Sequence, residues 1–148
     1  RRDIRMITAI YNHLHGDSEL LATLTGGVWN GVDVHEISRQ NTPAAFDGNK
    51  ELLPCALLQA ETATPWGPNR NSGRLYFMLY LYQRHGYMAI ETARQRIYTL
   101  LHRQILVPID GSGCYEILHS NDLLGLEDSA LDGAALITSR FYAVVQRK

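Results

Sequence analysis

One stretch constrains the fold of this chain more than any other: Arg74-Leu75-Tyr76-Phe77-Met78-Leu79-Tyr80-Leu81-Tyr82-Gln83-Arg84. Its residues alternate with a period of two. Leu75, Phe77, Leu79 and Leu81 fall on one side, and Tyr76, Met78, Tyr80 and Tyr82 on the other. Successive side chains of a strand point to opposite faces of its sheet. A strand apolar on both faces is expected to be covered on both faces. The two faces differ in kind, because a tyrosine joins a large apolar body to one polar tip. A row of them suits a surface that is wet before assembly and dry after it, and aromatic residues concentrate binding energy at interfaces. Two readings follow. Either the first helix covers Tyr76, Tyr80 and Tyr82 within the monomer, or a neighbouring subunit does.

The remaining elements can be set around this strand. Ile4, Ile7, Tyr11 and Leu14 recur at helical spacing, which predicts helix over residues 4–24. Gly16-Asp17-Ser18 interrupts it, and Asp17 or Ser18 can cap a second short helix that buries Leu20, Leu21 and Leu24 before Gly26-Gly27 stops it. Residues 28–53 show no period and read as a long loop, its first half anchored by Trp29, Val32, Val34 and Ile37. Residues 54–62 read as a half-buried strand with Ala56, Leu58 and Ala60 inward and Gln59 and Glu61 outward. Pro65, Gly67 and Pro68 make 63–73 a loop that holds Trp66 out as an anchor for a partner or folds it back on its own sheet. A helix is expected from Gly86 to about His102, with Ile90, Ala93, Ile97, Leu100 and Leu101 as its buried stripe. A short strand at 114–119, a connection at 121–131 and a last strand at 134–146 complete the order. The expectation is one α+β domain over 1–148. It is a two-layer sandwich with a mainly antiparallel four-stranded sheet, helices packed on one face, and long loops at 28–53 and 63–73. At 148 residues the chain can bury about two-thirds of its unfolded surface, enough to fold without a metal or disulfide.

Chemistry is sparse. A formal net charge of -1 excludes a polybasic nucleic-acid binder held by counterion release. Cys55 and Cys114 lie far apart and read as reduced core thiols. No apolar run approaches the roughly 20 residues needed to span a bilayer. The chain opens Arg1-Arg2-Asp3 rather than with Met, and Met6 offers an alternative start. There is no phosphate-binding glycine loop and no nucleophile elbow. The six histidines have no Cys or carboxylate at zinc-like spacing, and His13 and His15 point about 200° apart on a helix. Glu61 with Asp110, Glu116 or Asp122 would supply a carboxylate pair, but nothing in the sequence joins them. Tyr76 to Tyr82 between Arg74 and Arg84 invites comparison with base-stacking sheets, yet the small glycine-bearing core of that signature is missing. No enzymatic centre emerges and no cofactor is called for. The candidate residues are those of an interface: Tyr76, Tyr80, Tyr82, Trp66, Trp29 and Arg74.

The order of elements carries a resemblance. Met6-Ile7-Thr8-Ala9-Ile10-Tyr11, followed by Asp17-Ser18-Glu19-Leu20-Leu21-Ala22-Thr23-Leu24-Thr25-Gly26-Gly27-Val28-Trp29, resembles the start of the tail terminator, or tail-completion, proteins of long-tailed bacteriophages. The Leu53-Pro54 step into a strand, the Arg74–Gln83 strand, the helix with Ala93-Arg94, Ile97 and Leu100-Leu101, and a closing strand at Thr138–Val145 fit the same pattern. The resemblance spans most of the chain, although the 28–53 segment is longer than the family's. It implies a virion protein of the tail or neck, assembled in the host cytoplasm, that forms a homo-hexameric ring. Such a ring caps the tail tube protein, meets the head-closure or connector protein, and lets the genomic DNA pass through its lumen without specific binding. It implies no membrane contact and no catalytic residue. Another neck component, such as a head-closure or tail-to-head joining protein, is the nearest alternative. An RNA-binding sheet and a ligand-binding α+β domain stand further off.

Overall fold

The structure, a computed structural model, describes residues 2–65, 72–106, 115–131 and 133–146. Three helices, α1 (Arg2–His15), α2 (Ser18–Thr23) and α3 (Met88–Leu101), accompany six strands: β1 (Val28–Asn30), β2 (Cys55–Pro65), β3 (Ser72–Gln83), β4 (Ile105–Leu106), β5 (Tyr115–Asp128) and β6 (Ala134–Gln146). The strands form one mixed sheet in the order β1-β2-β3-β6-β5-β4. β1 runs parallel to β2, and every other pairing is antiparallel. The class is α+β, but the four-stranded antiparallel sheet expected from the sequence is wrong. The two extra strands sit at the ends of the sheet and are three and two residues long. A period of two cannot show in so few residues, so neither strand declares itself in the sequence. β5 also runs through Asp128, across much of what reads as a connection, because two register shifts break its alternation.

The helices all pack on one face. Met6, Ile7, Ile10 and Leu14 of α1, Leu20 of α2, and Ile90, Ala93, Ile97 and Leu101 of α3 are buried in one cluster with Leu75, Phe77, Leu79 and Leu81 of β3 and Ile137 and Phe141 of β6. Burial of each large aliphatic or aromatic side chain stabilises the fold by about 1.5–3 kcal/mol. Phe77 and Phe141 face each other across the strand pair, with ring centroids 5.7 Å apart and 12° between planes. Asp17 is the cap of α2, its carboxylate accepting from the Leu20 amide at 2.9 Å. α3 lacks a side-chain cap of its own. Instead Gln83 reaches from the end of β3, and its Oε1 accepts from the amides of Ala89 and Ile90.

Among the described residues, cover on the second face comes at one end. After β1 the chain folds back over the sheet, and Ile37, Ala45 and Leu52 bury Cys55 and Leu57 of β2, Tyr82 of β3 and Ala134. This segment is held by side chains satisfying nearby backbone rather than by a helical or strand period. The Asp47 carboxylate accepts from the amides of Asn49 and Glu51, and the Thr42 hydroxyl accepts from the Ser38 amide. It starts at Gly31, whose amide donates to the Leu58 carbonyl at 2.7 Å. A Cβ on Gly31 would lie 2.6 Å from that same oxygen, so only glycine fits. The strand at 54–62 is therefore more buried than half, since Leu57 lies beneath this covering segment.

Candidate interaction face

Beyond the reach of the covering segment, none of the described residues packs over the second face of the sheet. The register sets Tyr76 of β3 opposite Tyr142 of β6, Tyr142 opposite Leu118 of β5, and Met78 opposite Arg140. All five of these side chains are half-buried. The Tyr76 and Tyr142 rings lie 5.4 Å apart, tilted by 44°. The Arg140 guanidinium stands 4.4 Å above the Tyr76 ring centre, and that of Arg74 stands 5.3 Å from the Tyr142 ring centre. Arg140 also donates its Nε proton to Glu61 at 2.9 Å, and Arg74 donates to the Tyr76 hydroxyl at 3.3 Å. Each cation held over a ring contributes about 0.5–1 kcal/mol at an exposed site. The result is a lattice of rings and guanidinium groups fixed before any partner arrives. It offers flat apolar area with hydrogen-bond donors at its margin, which is the composition of interface cores.

The sequence candidates are distributed unevenly over this face. Tyr76 and Arg74 belong to it. Tyr80 lies at the boundary with the covering segment and donates its hydroxyl proton to the Met78 sulfur at 3.7 Å. Burial, and secondly the Glu61 charge, push its phenol up. Tyr82 is only 8% exposed, and burial drives its phenol well above the ordinary range. The covering segment buries Tyr82; the first helix packs on the opposite face and covers none of the tyrosines. Trp29 sits on β1 opposite Leu57, packed against the same covered cluster as Tyr80, its indole N–H donating to the Gly26 carbonyl at 2.9 Å. Trp66 lies outside the described residues. Arg140 and Tyr142 were missed as site residues. The alternation of residues 134–146 already puts them on one side, and pairing that strand with β3 would have shown them beside Tyr76.

A second polar cluster lies on the helix side of the sheet. Asp122 accepts from the Ser139 hydroxyl at 2.6 Å and from Arg94 at 2.8 Å, and His119 Nε2 lies 2.9 Å from it. Arg94 also pairs with Glu91. Burial pushes Asp122 up, but the hydrogen bonds from His119 and Ser139 and the charges of His119 and Arg94 outweigh it and leave the carboxyl lowered. The types are those of a catalytic triad, but the connectivity is not. The carboxylate takes the middle place, and Ser139 is 1% exposed and bonded to it rather than to the histidine. The cluster ties α3 to β5 and β6. The Glu61–Asp122 pair considered from the sequence does not form, since Glu61 is on the second face and Asp122 on the helix face. Asp110 lies outside the described residues. Cys55 is buried and its thiol is pushed up to about 12. Cys114 lies outside the described residues. Among the described residues no group of three potential ligands could hold a metal ion, and no helix is long and apolar enough to cross a membrane.

No family model matches the sequence, and no curated protein matches it. The fold does have a counterpart. A chain of the virion of a native gene transfer agent particle superposes with a TM-score of 0.70 at 14% identity. The likeness covers 95% of this chain and 93% of that one. A second solved chain, at 11% identity and a TM-score of 0.42, is too distant to carry an argument. The likeness of fold thus runs over nearly the whole of both chains at low sequence identity.

Proposed function

We propose that this chain is a structural virion protein, and that it acts as a tail terminator: a subunit of a ring that caps the tail tube and meets the head-side connector. One observation carries the reading. The fold matches a chain from the virion of a gene transfer agent particle over nearly the full length of both molecules. The second face supports the same reading, because its stacked rings and guanidinium groups suit adhesion to a protein neighbour. The order of elements that resembles the tail terminator family narrows the role to the tail. In this role the Tyr76–Tyr142 face meets a protein neighbour, with Tyr80 and Arg74 at its border.

The test is direct. Purified protein is mixed with polymerising tail tube protein, and tube lengths are measured by electron microscopy, with native mass spectrometry reporting the state of the free chain. The expected outcome is a closed ring and shortened, capped tubes. Tubes of unchanged length with the protein absent from their ends would refute the role.

A further inference from the structure

The sheet ends in two different surfaces, one at β1 and one at β4. At the β1 end a shallow groove of about 280 Å³ runs between α1 and the covering segment, lined by Tyr11, His15, Val28, Trp29 and Ala44. Tyr11 and Trp29 are half-buried, so part of each ring still meets solvent. Aromatic walls of this kind attract cations. Two further features act in the same direction. α1 ends at His15, and the last carbonyls of a helix carry partial negative charge. Asp33 stands close by: burial, and secondly the Asp33 charge, push the Tyr11 phenol up. The Asp33 carboxylate is exposed, and among the described residues it has no hydrogen-bond or ion-pair partner.

The β4 end has the opposite character. Arg103 makes the turn between α3 and β4 at φ of 61°, the left-handed position after a helix that glycine usually fills. Its amide donates to the Ile117 carbonyl at 2.7 Å, which fixes the turn against β5. Its guanidinium is exposed, and among the described residues it has no hydrogen-bond, ion-pair or ring partner. Apolar side chains flank it. Ile105 is 63% exposed, and Tyr98 in the last turn of α3 is 41% exposed. An unpaired cation is thus held out on a fixed turn beside bare apolar surface.

We infer that these two ends join copies of the chain: the Arg103–Ile105 turn of one copy seats in the Tyr11–Trp29 groove of the next, with the guanidinium toward Asp33 and the isoleucine against the rings. Complementary charge and matched apolar surface argue for this occupant. The two surfaces are different patches at opposite ends of one sheet. A contact between such patches propagates head to tail, and it closes a ring when the rotation permits. An acidic segment fits the groove less well, because Asp33 and the end of α1 repel it. The inference rests on the ring reading above and supplies its lateral contact, leaving the Tyr76 face for another neighbour.

Charge exchange tests it on the whole chain. Asp33→Arg and Arg103→Asp each set like charges against one another at every contact, and the double variant restores opposite charges. Both positions are exposed, and circular dichroism with thermal midpoints verifies that all three variants fold. Each single variant is expected to associate on the order of a hundredfold more weakly than wild type in sedimentation velocity. The double variant should return to within about tenfold of wild type. If wild type closes into a ring, free or on capped tubes, and both single variants close equally well, the contact is elsewhere and the ring reading stands. If the double variant is folded and associates no better than the single ones, the two side chains do not face each other and the inference is overturned. If wild type forms no ring in either setting, the ring and this contact fall together. If Asp33→Arg leaves the ring closed but lowers capture of tube ends, the groove takes the tube protein in place of a second copy, and the inference is overturned.

Discussion

The two faces of β3 are built from one run of residues and end in opposite states. On the helix side Leu75 is 3% exposed, and Phe77, Leu79 and Leu81 are fully buried. On the other side Tyr82 is buried, Tyr80 half-buried at the edge of cover, and Met78 and Tyr76 open to solvent in part. The strand does not decide this; the supply of covering elements does. Among the described residues, three helices pack across one face, while one irregular segment covers one end of the other. Where cover runs out, the side chains are those stable both wet and dry, tyrosine and arginine with long apolar bodies and polar tips. Side-chain character along one strand thus follows the cover that each stretch receives from the described residues.

The largest expected effect probes the finished face. Phe141→Ala removes a fully buried ring stacked on Phe77 and leaves a cavity beneath α3. A loss of about 3–5 kcal/mol is expected in urea denaturation, with binding by the folded fraction unaffected. A loss below about 1 kcal/mol would mean that the helix layer yields to fill the gap, and the contrast between the faces would weaken.

Much of this architecture was legible, and the failures have physical causes. α1, α2, α3, β2, β3 and β6 announce themselves through periods long enough to recognise, and Asp17 through its capping chemistry. β1 and β4 do not, because a strand of three or two residues is specified by its neighbour's open edge and not by its own pattern. β5 hides behind its bulges, with Gly125 at φ of 73° where the register slips. For the site, Tyr76 and Arg74 could be picked from one strand alone. Arg140 and Tyr142 needed the pairing of β3 with β6, a fact about distant residues that no local signal carries. The burial of Tyr82, a candidate by sequence, is hidden for the same reason. Its cover comes from Ile37, Ala45 and Leu52, in a segment with no period to follow.

A smaller effect should follow acidification, and it belongs to the helix side. The hydrogen bond from Arg96 lowers Asp17, that from Arg94 lowers Glu91, and Asp122 is lowered by its donors despite burial. A carboxyl lower in the folded than in the unfolded chain binds fewer protons when folded. Its contribution is therefore complete above the ordinary carboxylate range near pH 4, and it is lost as pH falls through the lowered values. Denaturation midpoints should hold from pH 7 to about pH 5 and decline below about pH 4. Asp122→Asn should lower stability at neutral pH and flatten that decline. An unchanged acid limb in this variant would remove Asp122 from the contacts that tie α3 to the sheet.

The smallest effect on stability, and the sharpest test of the comparison, comes from two tyrosines on the same side of one strand. Tyr76→Ala strips a half-exposed ring from the open face and frees Arg140 from its stacking contact. Because that ring packs mainly against surface neighbours, the fold should change by no more than about 1 kcal/mol. A tyrosine at the centre of an interface typically contributes about 2 kcal/mol or more to binding, so capture of the tube end should weaken by roughly thirtyfold. Tyr82→Ala should reverse the pattern. Its ring is buried beneath Ile37 and Leu52, so the cost falls on folding while the folded fraction still binds. If both substitutions weakened binding equally at matched stability, cover would not be what separates interface from core. If Tyr76→Ala left tube arrest intact, the contact surface would have to be sought away from the open sheet face.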